Sequence, residues 1–302
     1  MSEIISLDVN SLETAEIHQI LLTAVAPRPI ALASSINNKG EVNLSPFSFF
    51  NVFSANPPIL IFSPARRVRN NTTKHTLENA YKVKEVVINI VNYPIVEQMS
   101  LSSTEYDKGI NEFDKSGLTP IASKKVKPPR VKESPISFEC EIDNIIELGD
   151  QGGAGNLIIS RVVMIHLNSK YLDGNGKLDT TKLDLVARMG ANWYTRVTQE
   201  SLFEITKPIK TKGIGVDKLP KHIFKTNILT GNNIGRLGNA EKIPTEEELS
   251  YFKNTPEIAS ILQINDNKKR IERFHEITKE YLLNENVDSA LKAVFCCLYS
   301  ND

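Results

Sequence analysis

The sequence is short of cysteine, histidine and net charge, and each shortage excludes something. It holds three cysteines, Cys140, Cys296 and Cys297, with no C-x-x-C spacing. That rules out a disulfide framework and a C-x-x-C redox motif, leaving the adjacent Cys296-Cys297 as the one alternative redox pair. Cys296 and Cys297 adjoin within VFCCL, which reads as the buried face of a helix, where a free thiol acts as a small hydrophobe. The five histidines are scattered and make no H-E-x-x-H or similar cluster, so no metal site is expected. Lys+Arg 36 balance Asp+Glu 36, without the basic excess of a nucleic-acid binder. No apolar run approaches the ~20 residues of a membrane span. The opening MSEIISLDVNSLETAEIHQ is acidic and mixed rather than basic and then apolar, so a cytoplasmic location is expected. No Walker sequence and no G-x-S-x-G elbow occurs.

What is present is a chain of 302 residues, 40% hydrophobic and 24% charged, enough for one large domain or for one domain plus an appendage. The stretch Pro27 to Asn51, PRPIALASSINNKGEVNLSPFSFFN, is the most informative. Residues 29–36 and 41–50 read as a hairpin around a polar turn containing Gly40. Ser and Asn sit among aromatics there, which suits a flat, partly polar heterocycle. Asn43, Ser45, Pro46, Phe47 and Ser48 are its candidate contacts, while Phe49 reads as core. Asn56-Pro57-Pro58 then stops the chain, and Ile59–Phe62 reads as a strand buried on both faces.

The segment Ser63 to Asn79 is basic and hydroxyl-rich and leads into a predicted helix capped by Thr73. A phosphate is met by cations, hydroxyls and a helix N-terminus, so Ser63, Arg66, Arg67, Thr73, Lys74 and Thr76 are candidate contacts. Strands are predicted at 84–91, 136–148 and 156–167, and a last short one near Leu202–Ile205. Helices are predicted near 12–21 and 94–103, and a helical turn over 181–186. GDQGGAG joins two strand-like runs and lacks the strand-then-helix setting of a dinucleotide fingerprint. After Pro208 alternation ceases, and from Pro244 the pattern is helical, with Thr245 as a cap and runs at 264–283 and 287–298. Short strands with hairpin turns and few helices argue for an antiparallel barrel or sandwich.

PRPIALASS, the turn and NLSPFSFFN, with VVMIH (162–166) and RMGANWY (188–194), resemble the flavin reductase-like proteins. The resemblance covers roughly residues 20–207. It implies a mainly β fold with some α, the FMN-binding split barrel, an antiparallel Greek-key-type barrel. The expected organisation is that domain over 1–207 and a mainly helical extension over 208–302. KHTLEN corresponds to the family's Lys-Asp-Thr-x-x-Asn: Lys74, Thr76 and Asn79 match, which implies Asn79 as a further cofactor contact, and His75 replaces the acid, which puts any role of the acidic position in doubt. The family's Arg-x-Gly element makes Arg188 a further cofactor contact, with a structural arginine as the alternative. Implied too are non-covalent FMN, a homodimer, and reducing equivalents passed from NADH or NADPH to flavin or a small acceptor. No catalytic acid, base or nucleophile is identified. The alternatives are a non-catalytic FMN carrier or sensor, or an FMN-dependent oxygenase of a small organic substrate.

Overall fold

The structure is a computed structural model and describes residues 4–205 and 212–297. The chain divides into two compact units, Met1–Phe203 and Glu204–Asp302. The expected boundary at residue 207 lies outside the described residues.

The first unit is built on one antiparallel sheet of seven strands: β1 (Ala31–Ile36), β2 (Val42–Phe47), β3 (Phe50–Ala55), β4 (Pro58–Phe62), β5 (Glu85–Ile90), β8 (Ile136–Glu147) and β9 (Asn156–Leu167). Two ribbons flank it, β6 (Pro120–Ile121) with β7 (Arg130–Val131), and β10 (Val186–Arg188) with β11 (Tyr194–Arg196). The order in the main sheet is β2-β1-β5-β8-β9-β4-β3. Strands β2 and β3 therefore hold opposite edges, although only Ser48 and Phe49 separate them in the chain. At about 3.8 Å per residue, Phe47 and Phe50 are within ~11 Å of each other. Seven flat strands at ~4.8 Å spacing would hold those edges ~29 Å apart. The sheet must curl until its edges meet, leaving a seam at Ser48-Phe49. This is the split barrel that the resemblance implies.

Burial follows from the curl. All six residues of β1 are buried, because its alternate side chains serve two cores. Ala31 and Ala33 join Phe47, Phe62, Ile88, Cys140 and Ile158 on one side. Leu32 joins Leu44, Met99, Phe113 and Val186 on the other. Five helices attend the barrel: α1 (Thr14–Ala24), α2 (His75–Val83), α3 (Val96–Leu101), α4 (Glu112–Ser116) and α5 (Thr180–Leu183). Helix α2 places Leu77 and Ala80 in the first core.

Several expectations need correction. The run 41–50 is not one strand: it breaks at Ser48-Phe49, where the chain leaves one edge of the barrel for the other. Strand β3 follows, hairpinned to β4 through Asn56-Pro57. Strand β4 buries only Leu60 and Phe62, since it lies next to the edge. Thr73 does not cap α2; Lys74 holds the N-cap position without a side-chain bond, and Thr73 Oγ1 donates to Glu78 Oε1 at 3.2 Å. Leu202–Ile205 is not a strand; the C-terminal β structure of this unit is the β10–β11 ribbon.

The second unit is helical: α6 (Gly231–Gly238), α7 (Glu246–Lys253), α8 (Pro256–Leu262), α9 (Asn267–Leu283) and α10 (Val287–Cys296). Thr245 caps α7 in a reciprocal box with Glu248. Leu237, Leu282, Leu291 and Val294 form one core, and Ile258, Phe274, Ile277 and Cys296 another. Cys296 and Cys297 are buried. Among the described residues no helix is long and apolar enough to cross a membrane.

Candidate flavin site

A cleft of about 450 Å³ opens at the barrel seam. Pro46, Phe47, Ser48 and Phe49 line it at and beside the strand break, Ser63 and Ala65 to Arg69 from the loop after β4, Gly153 from the β8–β9 turn, and His18 and Leu22 from α1. Beside it lies a polar recess lined by Asn43 and Ser45 of β2, His75 and Thr76 of α2, and Ser102, Ser103, Thr104, Tyr106 and Glu112. Arg67, Lys74 and Glu105 border both.

The predicted contacts are thus distributed. Pro46, Phe47, Ser48, Ser63, Arg66 and Lys74 face the cleft; Asn43, Ser45, Thr76 and again Lys74 face the recess. Asn79 and Arg188 line neither. Asn79 is buried and donates to Ser35 Oγ at 3.0 Å, so it braces α2 against β1. Arg188 donates to the Ala191 carbonyl at 2.8 Å and lies 4.7 Å from the Tyr194 ring centroid.

The recess brings cations and hydroxyls to the start of a helix. Helix α2 starts at it, with the N–H groups of its first turn directed out of the helix end. Lys74 reaches across at 5.7 Å from the centroid of Phe47. Burial and the neighbouring Arg67 hold its ammonium below the usual lysine range. Asn43 Nδ2 donates to Thr76 Oγ1 at 2.9 Å, fixing the hydroxyl at the helix start. Glu105 pairs with Arg67 at 3.0 Å and with Arg69.

The wall of the cleft is laced to the β8–β9 turn. The Asn156 N–H donates to Ser63 Oγ at 2.9 Å, the Arg66 N–H to the Ala154 carbonyl at 2.8 Å, and the Gly153 N–H to the Arg66 carbonyl at 3.0 Å. A Cβ at Gly152 would stand 2.9 Å from the Val68 carbonyl oxygen, so the loop approaches that turn only because the residue is glycine. The Arg66 guanidinium is spent on Asn71, from Nε to Oδ1 at 2.6 Å and from Nη2 to the carbonyl at 2.8 Å.

Arg28, the arginine of PRPIALASS, is a residue that the motif reading left without a role. It is buried and donates to the carbonyls of Leu22, Val25 (2.8 Å) and Met189 (2.9 Å), and to Ser48 Oγ at 3.4 Å. It closes the C-terminus of α1 and ties that helix to the RMG segment and the seam. Burial and the charge of Arg188 hold it below the usual arginine range. His166, at the end of β9, is satisfied by Glu139 at 2.6 Å from Nε2 to Oε1.

The flavin reductase like domain model matches residues 24–182. The chain belongs to that family. An Aquifex aeolicus protein is 35% identical over 189 residues, 63% of this chain and 94% of that one. Bacillus subtilis YwrF is 31% identical over 202 residues, 66% of this chain and 97% of its own. Among solved structures, component B of the nitrilotriacetate monooxygenase of Bacillus cereus is 28% identical with a TM-score of 0.63, covering 68% of this chain and all (100%) of its own. A split-barrel-domain protein of Shewanella frigidimarina NCIMB 400 is 27% identical with a TM-score of 0.56 over 65% of this chain and 96% of its own. These relatives are matched over nearly their whole length by about two thirds of this chain.

The residues missed from sequence are Glu105, Glu112, the hydroxyl run Ser102–Thr104, and His18 and Leu22. SLSSTEYD carries three hydroxyls in a row, but nothing local says that it faces the start of α2.

Proposed function

We propose that the chain binds FMN without a covalent bond and passes reducing equivalents from NADH or NADPH to that flavin or to a small acceptor. Carrying this reading is the meeting of two unlike spaces at Lys74: an aromatic-walled cleft and a cationic, hydroxyl-lined recess at a helix start. A planar ring with a phosphate tail needs both. The cleft volume falls in the ~300–1,000 Å³ range of small-molecule sites, and the recess offers the donor set that a phosphate takes.

In this assignment Lys74, Thr76, Asn43 and Ser45 face the phosphate, with the hydroxyls of Ser102 to Thr104 opposite. Pro46, Phe47, Ser48 and Ser63 wall the ring. Arg67 stands between the two. Arg66, Asn79 and Arg188 hold the surrounding chain through the bonds given above. The flavin supplies the hydride-accepting centre when bound; the chain supplies orientation, charge and exclusion of water, which fits a site without a nucleophile or catalytic dyad. A homodimer belongs to the same reading, and the exposed Val52 and Phe53 on edge strand β3 suit such an interface. We also propose 1–207 as the flavin domain and 208–302 as an added helical unit.

The test is the visible spectrum of the purified protein with added FMN, followed by anaerobic titration with NADH and NADPH. A flavin spectrum bleached by either nicotinamide is expected. Protein that stays colourless and binds no FMN overturns the site; bound flavin that neither nicotinamide bleaches overturns the reductase step and favours the carrier. Lys74→Ala should weaken FMN binding by ten- to thirtyfold, about 1.5–2 kcal/mol, the scale of one charge-assisted bond. Unchanged affinity would refute the phosphate placement.

A further inference from the structure

One acid in the recess is at odds with an anion. Glu112 opens α4 and is 6% exposed. Its Oε2 accepts the N–H of Leu44 at 2.8 Å, a group of edge strand β2 that points away from β1. Its side chain lines the same recess as Lys74 and Thr76. The other carboxylate there, Glu105, is neutralised by Arg67 and Arg69. Among the described residues Glu112 makes no ion pair. The titratable groups around it are Lys74 and His75 from the start of α2, Arg67 from the preceding loop, and Glu105 and Tyr106 from the connection between α3 and α4. Strand β2 presents only Asn43 and Ser45.

We infer that Glu112 is a binding residue that meets the phosphate as the neutral acid, so that loading the recess takes up a proton. This rests on the flavin reading above. A buried carboxylate without a cationic partner is costly, and burial already pushes Glu112 above the usual carboxylate range, against the N–H of Leu44. A phosphate brought into the same recess adds like charge, which raises the affinity of Glu112 for a proton further. Protonation reverses the interaction. The new O–H donates to a phosphate oxygen, while the other carboxyl oxygen keeps the Leu44 N–H. The proton comes from solvent and returns to it when the ligand leaves. No bond other than O–H is made or broken.

The experiment is FMN binding followed by flavin fluorescence across a pH series, with calorimetry in two buffers of different ionisation enthalpy, on the full chain and on Glu112→Gln. Glutamine imitates the neutral acid, accepting from Leu44 and donating to the recess. It is also the reference for the titration of the phosphate itself (second pKa about 6). Expected is proton uptake in the wild type in excess of the variant, approaching one per FMN. The ratio of wild-type to variant affinity should fall by up to about tenfold per pH unit once Glu112 is ionised in the free protein. Equal uptake and equal pH slopes overturn the inference. Should the variant fail to fold, riboflavin, which has the ring without the phosphate, becomes the reference on the wild type at about pH 8, where the phosphate of free FMN is already a dianion; equal uptake for the two flavins there overturns it as well. FMN bound without excess uptake removes only this inference. No FMN binding at any pH removes the flavin reading with it.

Discussion

Asn43 donates from Nδ2 to Thr76 Oγ1 across 2.9 Å, and both side chains are buried. This bond joins the edge strand β2 to the first turn of α2, two of the elements that line the recess. Replacing Asn43 by Ala leaves the Thr76 hydroxyl without that partner. The cost expected for a buried polar group so stranded is about 1–3 kcal/mol. Urea denaturation should show a lower midpoint at unchanged slope, and FMN should bind more weakly if the recess takes its phosphate as proposed, because β2 and the start of α2 are no longer held together. An unaltered midpoint would mean that the bond is dispensable.

Helix α1 is held by fit at one glycine. A Cβ built on Gly190 would lie 2.5 Å from Thr23 Oγ1 and 3.2 Å from Thr23 Cα. The second contact is backbone and does not swing away. Gly190→Ala should therefore push the end of α1 off the RMG segment, move His18 and Leu22 at the cleft, and weaken FMN binding severalfold. Gly174→Ala, where no atom lies within 4 Å of the new Cβ, is the control and should leave affinity unchanged. Equal affinities for the two variants would show that α1 does not shape the site.

How much of this could be read from the chain depends on where each contact originates. The hairpin, the central strands and the capped helix after Pro244 are local patterns, and they are found where the periodicity puts them. Strand β3 was hidden because Phe47, Phe49 and Phe50 look like one aromatic run. Only barrel closure, a property of all seven strands, requires the break at Ser48-Phe49. Lys74 and Thr76 could be placed near a helix start from the pattern, although the cap was expected at Thr73 and falls at Lys74. The groups facing them could not: Glu105 and Glu112 lie some thirty positions downstream in an irregular segment, and their facing depends on how α3 and α4 settle against β2. Arg28 was visible as a motif residue, but three of its four partners are carbonyls, which a side-chain pattern does not record.

The helical unit contains a histidine pair, His275 buried and His222 half-buried, with a definite proton arrangement. His222 Nε2 lies 3.1 Å from the Val294 carbonyl, and His222 Nδ1 lies 2.9 Å from His275 Nε2. A carbonyl only accepts, so His222 carries its proton on Nε2 and accepts at Nδ1 from His275 Nε2–H. A second proton on His222 would set two N–H groups face to face. Burial, and then His222, push His275 down to about 4, and burial lowers His222 as well. The unfolded chain titrates near the ordinary histidine value of about 6.5. Above that pH neither state binds the proton and stability is full. As pH falls from about 6.5 toward 4 the unfolded state takes up protons that the folded pair refuses, so stability declines. Below the folded values the loss levels off. Thermal melts followed by circular dichroism should give a lower midpoint at pH 5 than at pH 7. His275→Gln, whose amide can still donate to His222, should lessen that difference while lowering stability at pH 7. If wild type and variant lose the same amount between the two pH values, the pair is not the group that titrates.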